Sequence, residues 1–421
     1  MELINKIFYF FTPYLDAREK AVEVFFKSIT ERSDRSHTRS RLSTLMQRDV
    51  AMISLWAEYR YKGYRYLSKA ERKRLHTNLR LIVEDFGHFY TQKVQTVDLS
   101  TYTDSLSTDT ANDPNKAMLI RAIMEYFSPQ RGAYEYRDSS SFGRLLANPA
   151  QDKLVGDCNQ IVTLYLYMYS RYYKIQDLQL RILPEHVALH YNGIDIETTS
   201  GELADYSEQE GSLLLPVEEI VSINLLDTTD SYLSTHEIAA EDFLQASRFA
   251  FILSHEREVV AQNLQTAYTS LINLLMKRND YNQALKVATT SQDQSLINIV
   301  GHNGAIYEID RHNYAAARRF SQHASKHDEL VHFSWQSEGT YQYQHHHYLN
   351  AIKAFEHIND ESSIRQCYEA LFVEEQEKLS SNLTTESIKQ YAGTIKNMRA
   401  YARKSGNKSL IEYVDGLHKH L

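Results

Sequence analysis

Two adjoining stretches decide how this chain is read: Val155–Ile175, VGDCNQIVTLYLYMYSRYYKI, and Leu178–Gly201, LQLRILPEHVALHYNGIDIETTSG. In the first, Gly156 offers a turn, Asp157 an N-cap and Cys158 the first helical residue. Apolar and aromatic residues fill most positions from Ile161 to Tyr172, which predicts a helix buried on nearly all sides. A thiol at a helix N-terminus lies beside unpaired backbone N–H groups and the positive end of the dipole, and both favour the thiolate. The carboxylate of Asp157 opposes that effect, so the helix alone does not make the cysteine reactive.

The second stretch predicts strands. Leu178–Leu183 alternates, Pro184 interrupts, and His186–Tyr191 is joined to Ile194–Thr198 by Asn192-Gly193, a pair that predicts a two-residue type I′ hairpin turn. The turn sets the register: Tyr191 faces Ile194, His190 faces Asp195, Ala188 faces Glu197 and His186 faces Thr199. Val187, Leu189, Tyr191, Ile194, Ile196 and Thr198 then share one mostly apolar face, and His186, His190, Asp195 and Glu197 the other. A one-residue slip would break this partition. Glu197 lies diagonal to His186, about 7–8 Å away between backbones. Asp195 lies opposite His190, about 13 Å from His186 by strand rise, and is the second choice as its partner. A nucleophilic cysteine needs a base, and the base needs an acceptor that orients it. Cys158, His186 and Glu197 supply these roles. Taken singly, each has a plainer reading: a lone cysteine as core, a strand histidine beside a carboxylate as a surface pair.

A Gly-x-Cys motif opening an apolar helix, then a histidine on a strand, then an acid on the next strand resembles the transglutaminase-like superfamily. The acid of that motif is commonly followed by Pro-Thr; here Ile196-Glu197-Thr198-Thr199 has glutamate for the usual aspartate and threonine for the usual proline. The resemblance covers about 60 residues. It implies a papain-like α+β fold and cysteine acyl transfer, with His186 as base and Glu197 orienting it. Whether water or an amine accepts the acyl group stays open. The Cys158 backbone N–H is the expected oxyanion donor, and the sequence identifies no second one.

The composition bounds the remaining possibilities. The chain has 421 residues, enough for two or three domains, and a net charge of −8. With only 14 Gly and 6 Pro it is expected to be rich in helix. Its two cysteines, Cys158 and Cys367, are far apart, which suits a reducing, cytoplasmic setting. No stretch is long enough to span a membrane. The apolar start, Ile7–Leu15, follows Glu2 and contains Pro13, and is read as a helix of the fold rather than a secretion signal. There is no Walker motif, no GxGxxG and no HExxH, so no cofactor is expected.

Ala17–Ile29, Leu45–Tyr61 and Ser68–Tyr90 carry apolar residues at helical spacing, with Ser68 and Glu71 resembling a capping box. Between Tyr59 and Arg80, the bases Arg60, Lys62, Arg65, Lys69, Arg72, Lys73, Arg74 and Arg80 are interleaved with tyrosines. Such a mixture can bind nucleic acid or an anionic membrane face. In an acidic chain it reads instead as a solvated helix face, and nucleic acid is not an expected partner. Thr96–Asn115 is polar and aperiodic. Lys116–Phe127 is helical, and the polar Ser128–Pro149 offers Tyr134, Tyr136 and Asn148 as candidates to line a substrate cleft.

Beyond Gly201, an acidic loop leads to a short helix expected near Pro216, and His236–Val260 reads as one helix. Then Asp280-Tyr281-Asn-Gln-Ala284, Asn313-Tyr314-Ala-Ala-Ala317 and His347-Tyr348-Leu-Asn-Ala351 repeat at intervals of 33 and 34 residues. That is the tetratricopeptide period. The third unit carries Trp335, Gly339, Ala351 and Phe355 at consensus spacing, the first carries Tyr268, Leu271 and Ala284, and the middle unit is degenerate in its first helix. His323 and His327, and the run His345–His347, lack the companions of a metal-ligand set, so no metal is expected.

The expected fold is α+β and predominantly helical: N-terminal helices, a transglutaminase-like core with a small antiparallel sheet, and a tetratricopeptide-like solenoid. The expected divisions are 1–94 helical, 95–115 a polar linker or loop, 116–235 the cysteine domain, 236–261 a bridging helix, 262–362 three repeats and 363–421 capping helices. The repeats would bind a protein or peptide. The architecture resembles that of bacterial proteins pairing a transglutaminase-like domain with such repeats. Two other readings stand beside the thiol enzyme: a catalytically inactive scaffold of the same fold, and an anionic-partner protein using the basic N-terminal helices.

Overall fold

The computed structural model describes residues 9, 11–106, 113–139, 141–227, 238–381 and 384–421. Residues 7, 8 and 10 of the apolar start, 107–112 of the expected linker and 236–237 of the expected bridging helix lie outside them. The chain is predominantly helical α+β with a small five-stranded antiparallel sheet. It divides into two compact units, Met1–Ser270 and Leu271–Leu421.

The first unit opens with α1 (Ala17–Ser28), capped by Asp16, and α2 (Arg35–Tyr61), capped by Asp34. Helix α2 begins ten residues before its expected start, because its opening is polar and held by the cap rather than by an apolar stripe. It kinks at Asp49 (φ −168°, ψ 82°), whose carboxylate accepts the Met52 N–H at 3.0 Å and so re-caps the helix. Helix α3 (Lys69–Thr96) is capped by the Ser68 hydroxyl on the Glu71 N–H at 3.2 Å. The return half of the capping box is not made, since Glu71 pairs with Arg74. The expected linker contains a short helix, α4 (Leu99–Thr103), and is tied down beyond it by the fully buried Leu106. Helix α5 (Pro114–Phe127) follows Asp113 as N-cap, with proline where its missing N–H costs nothing.

Strand β1 (Tyr134–Tyr136), the single-turn α6 (Phe142–Leu145) and β2 (Leu154–Gly156) precede α7 (Cys158–Ser170), and β1 pairs parallel with β2. Next come β3 (Gln179–Leu183), β4 (His186–Tyr191), β5 (Ile194–Glu197), β6 (Glu202–Ala204) and β7 (Leu213–Pro216), arranged β6-β5-β4-β3-β7. Asn192 (φ 50°) and Gly193 (φ 83°) both turn left-handed, as a type I′ turn requires. The register pairs Tyr191 with Ile194, His190 with Asp195 and Leu189 with Ile196. Pro216 ends a strand, and α8 (Glu219–Leu226) starts beyond it. The stretch expected as one bridging helix is two, α9 (Ala240–Leu253) and α10 (Arg257–Lys277). Ser254 turns extended between them (φ −65°, ψ 148°) and its hydroxyl accepts the Glu256 N–H at 3.0 Å.

The N-terminal helices are not a separate unit from the cysteine region. Phe26, Leu42, Trp56, Leu79 and Phe86 belong to the same core as Ile161, Leu164, Leu166, Val187, Leu189 and Ile196. The sheet covers one side of α7 and the long helices cover the rest, which is why this helix is apolar all round.

The second unit continues in helices: α11 (Tyr281–Ser291), α12 (Gln294–Asp310), α13 (Tyr314–Ser321), α14 (His327–Gln344), α15 (Tyr348–Glu356) and α16 (Glu361–Gln376). After these come α17 (Thr385–Ile388), α18 (Ala392–Ser405) and α19 (Lys408–His418). The recurring turns share one backbone device. Asn279, His312, His346 and Asn359 lie at φ between 53° and 60°, and the next N–H reaches five residues back. Asp280 donates to the Leu275 carbonyl at 2.9 Å, Asn313 to Glu308 at 2.8 Å, His347 to Gln342 at 2.8 Å and Asp360 to Phe355 at 3.1 Å. This Schellman closure lets each helix stop and the chain re-enter in about three residues. Ala284, Ala317 and Ala351 are buried where successive helices meet. The middle unit holds a contact its sequence pattern hides: a Cβ on Gly304 would lie 2.7 Å from the Phe320 ring, as one on Gly339 would lie 2.6 Å from Phe355.

Candidate active site

Cys158 occupies its place because the turn before it is bound on several sides. The Asp157 carboxylate accepts the N–H groups of Asn159 (2.9 Å) and Gln160 (3.3 Å), and the Gln160 side chain accepts the Asp157 N–H at 2.8 Å. This is a capping box with aspartate and glutamine. The Gln160 amide donates to the Ser139 carbonyl at 2.6 Å, and the Tyr134 hydroxyl donates to the Gly156 carbonyl at 2.7 Å. The polar segment before β2 therefore fixes the approach to the cysteine. Burial, and then the neighbouring charge of Asp227, push the Asp157 carboxyl up to about 7. Asp227 also accepts the Asn159 amide at 3.0 Å.

Helix α7 packs against β4, which places Cys158 near enough to His186 to influence its charge, while the thiol itself donates to Asn159 Oδ1 at 3.9 Å. The His186 Nε2 meets Glu197 Oε2 at 2.6 Å. Glu197 is itself saturated: Oε2 also accepts the Tyr206 hydroxyl at 2.8 Å, and Oε1 accepts the Thr199 N–H at 3.0 Å and the Thr199 hydroxyl. Cys158 is 8% exposed, while the side chains of His186 and Glu197 are 27% and 16% exposed, so the imidazole edge remains reachable from solvent. The neighbouring Cys158, and then the hydrogen bond to Glu197, raise the His186 pKa to about 10. Burial acts to raise Glu197, but His186 and the two Thr199 donors outweigh it and hold the carboxyl at about 2.

Asp195 is turned to another task. It accepts His190 Nδ1 at 2.6 Å, Arg181 Nε at 3.0 Å and the Tyr206 N–H at 2.9 Å. Tyr206 thus bridges the two carboxylates, with its backbone on Asp195 and its hydroxyl on Glu197. Of the cleft candidates, Tyr134 is buried beneath the turn, while Tyr136 is 54% exposed and its hydroxyl donates to Asp138 at 2.9 Å. The Asp138 hydrogen bond, burial and nearby charges that include Cys158 raise Tyr136 to about 12. Asn148 is not part of this group. Its side chain accepts the Ala150 N–H at 3.1 Å and lines a different cavity with Glu71, Arg74 and Asn78.

Among the described residues, no group of three or more His, Cys, Asp or Glu side chains is placed to hold a metal ion, and no helix is long and apolar enough to cross a membrane. Part of the basic and aromatic run of α2–α3 is consumed internally, while Arg60, Arg65, Lys73, Arg74 and Arg80 are exposed. Arg72 is fully buried against Glu19 at 2.8 Å and lies 4.1 Å from the Tyr59 ring centre. Lys62, Tyr61 and Tyr64 are buried, and Arg74 pairs with Glu71.

The pair of shifts gives a stability signature. His186, raised from 6.5 to about 10, stabilises the fold in full below pH 6.5 and loses that contribution as pH climbs towards 10. Glu197, lowered from 4.5 to about 2, contributes in full above pH 4.5 and loses it as pH falls towards 2. Thermal melts of the wild type and a His186→Ala/Glu197→Gln variant should differ most between pH 4.5 and 6.5 and converge on either side. A difference that does not vary with pH would show that the two groups are not coupled to folding in this way.

Comparison with models of known families finds none that matches the chain, and comparison with curated proteins finds no match either.

Proposed function

We propose that this chain is a thiol enzyme of transglutaminase-like type that cleaves or transfers acyl groups of amides or esters, with Cys158 as nucleophile, His186 as proton carrier and Glu197 as its orienting acid. The observation that supports this reading is the placement of Cys158 at the start of α7 beside His186, whose Nε2 is bonded to a fully satisfied Glu197 carboxylate. A histidine whose pKa is raised by a thiol on one side and a carboxylate on the other already holds the proton at neutral pH. A thiolate on Cys158 facing that imidazolium is the resting form this reading requires, rather than a thiol waiting for a base.

In the acylation step the Cys158 thiolate attacks the carbonyl carbon, forming the carbon–sulfur bond and pushing the electron pair onto oxygen. Cys158 is the first residue of α7, where no intrahelical carbonyl exists for its N–H. The Asp157 carboxylate is occupied by the next two N–H groups, so the Cys158 N–H faces the developing oxyanion. As the tetrahedral intermediate collapses, His186 gives its proton to the departing amine or alkoxide and becomes neutral. It then takes a proton from the incoming water or amine, which attacks the thioester carbonyl and expels the Cys158 thiolate, restoring the pair. Glu197 stays charged throughout. Helices α10–α15 carry the reading of three tetratricopeptide-like pairs that bind a protein or peptide partner, supported by the shared turns and the two glycine-on-ring contacts.

An activated ester such as p-nitrophenyl acetate tests the reaction. The wild type should release one equivalent of nitrophenol in a rapid burst and carry an acetyl thioester on Cys158 by mass spectrometry. Cys158→Ala should show neither. Equal release from both proteins would remove the enzyme reading and leave the scaffold.

A further inference from the structure

A second cavity, of about 1090 Å³, lies away from the cysteine, among the entry to α1, the kink of α2, one face of α3 and the C-terminal end of α7. Tyr167 and Arg171 form its α7 side, about 14–20 Å along the helix from Cys158 at 1.5 Å per residue. It is therefore distinct from the candidate active site, and no role in the proposed reaction falls to it.

The walls are of two kinds. Leu15, Leu79, Val83 and Tyr167 make an apolar side. Lys73, Arg80 and Arg171 bring positive charge to the same space, and all three are exposed. The acids that line it, Asp16 and Asp49, are both engaged by Arg18, at 2.7 Å and 3.0 Å. Lys69 is committed to the Thr12 carbonyl at 2.7 Å. Lys73 and Arg171 form no ion pair among the described residues, and Arg80 meets only the exposed Glu84 at 3.6 Å. His76 adds a polar atom without a purpose in the fold: its Nε2 is buried at the cavity and has no hydrogen-bond partner. Lys69, Lys73, His76 and Arg80 recur at three- or four-residue steps, so α3 turns one polar stripe towards the cavity.

We propose that this cavity binds a small organic phosphate, its anionic group held by Lys73, Arg80 and Arg171 with His76 Nε2 as a further donor, and its apolar or aromatic body against Leu79, Val83 and Tyr167. An orphaned buried imidazole nitrogen costs free energy that a ligand oxygen would restore. Burial, and then the charge of Arg18, lower the His76 pKa to about 4, so at neutral pH it is an uncharged ring able to donate one N–H. The form of the site favours a small ligand over a nucleic acid. A polyanion needs a continuous basic surface, whereas Arg72, Lys62 and Arg74 of the same run are buried or paired and the remaining cations converge on a concavity.

Isothermal titration of the full chain with adenosine triphosphate, short-chain phosphatidate below its micelle concentration and inorganic pyrophosphate tests the proposal and separates a nucleotide from a lipid source. At least one organic probe should bind saturably at one site and more tightly than pyrophosphate. Lys73→Ala and Arg171→Ala should each weaken that binding by about tenfold, as expected for loss of a charged hydrogen bond. Cys158→Ala, and Lys396→Ala in the second unit, should leave it unchanged, so the result is independent of the proposed chemistry. Both cavity residues are exposed, and matching melting temperatures will show that the variants fold. Absence of saturable binding by every probe, binding indifferent to both Lys73→Ala and Arg171→Ala, or pyrophosphate binding as tightly as the organic probes would overturn the proposal.

Discussion

His186→Ala is expected to lower the rate of acyl transfer by about three orders of magnitude while leaving the protein folded. Two separate losses combine. Without the imidazole, Cys158 must ionise as an ordinary thiol of pKa about 8.5, so only a few per cent is thiolate near neutrality. The leaving group also departs without a proton, and general acid–base assistance alone is worth about 10²–10⁴-fold. The deficit should shrink as pH rises, because solvent then supplies the thiolate but not the proton donor. Glu197→Gln should cost less, on the order of 10–100-fold: the amide oxygen can still accept from Nε2, but the charge facing the imidazolium is gone. Single-turnover acylation across pH separates these effects. A His186→Ala protein that acylates at the wild-type rate at neutral pH would remove His186 from the mechanism.

Ala351→Arg should unfold the C-terminal unit, at a cost of at least about 3 kcal/mol. Ala351 is fully buried in α15, in a cluster with Tyr348, Phe355, Cys367 and Leu371. An arginine there has neither space nor a partner for its charge, and the close approach of the flanking helices depends on a methyl-sized side chain. Lys353→Glu, on the exposed side of the same helix, should change stability by less than about 0.5 kcal/mol. Chemical denaturation of both variants makes the comparison. Wild-type stability of Ala351→Arg would contradict the packing of this unit.

The parts of the site legible in the sequence are those set by local rules. Asp157 and Gln160 cap a helix through bonds that span three residues, and Asn192-Gly193 fixes a register that spans five pairs or fewer. From those two rules the pairing of His186 with Glu197, and of His190 with Asp195, can be read before any tertiary contact is known. What could not be read is carried by side chains reaching across the chain. Tyr206 joins both carboxylates from a loop with no periodic signal. Ser139 and Tyr134 hold the cysteine turn through a three-residue parallel strand too short to leave a pattern. Glu58, fully enclosed and raised to about 7 by burial, accepts the Gly143 N–H at 3.1 Å and so anchors α6 from α2, 85 positions earlier in the chain. Asn148 was a cleft candidate by position alone, and its local turn directs it elsewhere. The long opening of α2 and the unity of the N-terminal helices with the cysteine region escaped notice for a related reason: caps and shared cores do not appear as an apolar stripe. In the second unit the small-on-large contact of Gly304 and Phe320 was hidden because the other consensus positions of that helix have drifted.

The pH profile of Cys158 alkylation by iodoacetamide tests most directly whether Cys158 and His186 form an ion pair at rest. Cys367 provides an internal standard: it is fully buried in α16, and burial pushes its thiol up to about 11. The expected result is that Cys158 reacts rapidly at about pH 5, well below the ordinary thiol value of about 8.5, far faster than Cys367, and that His186→Ala abolishes this acidic limb. If Cys158 instead reacts only as pH approaches that ordinary value, with a profile unchanged by His186→Ala, the two residues do not act as a pair and the enzyme reading fails.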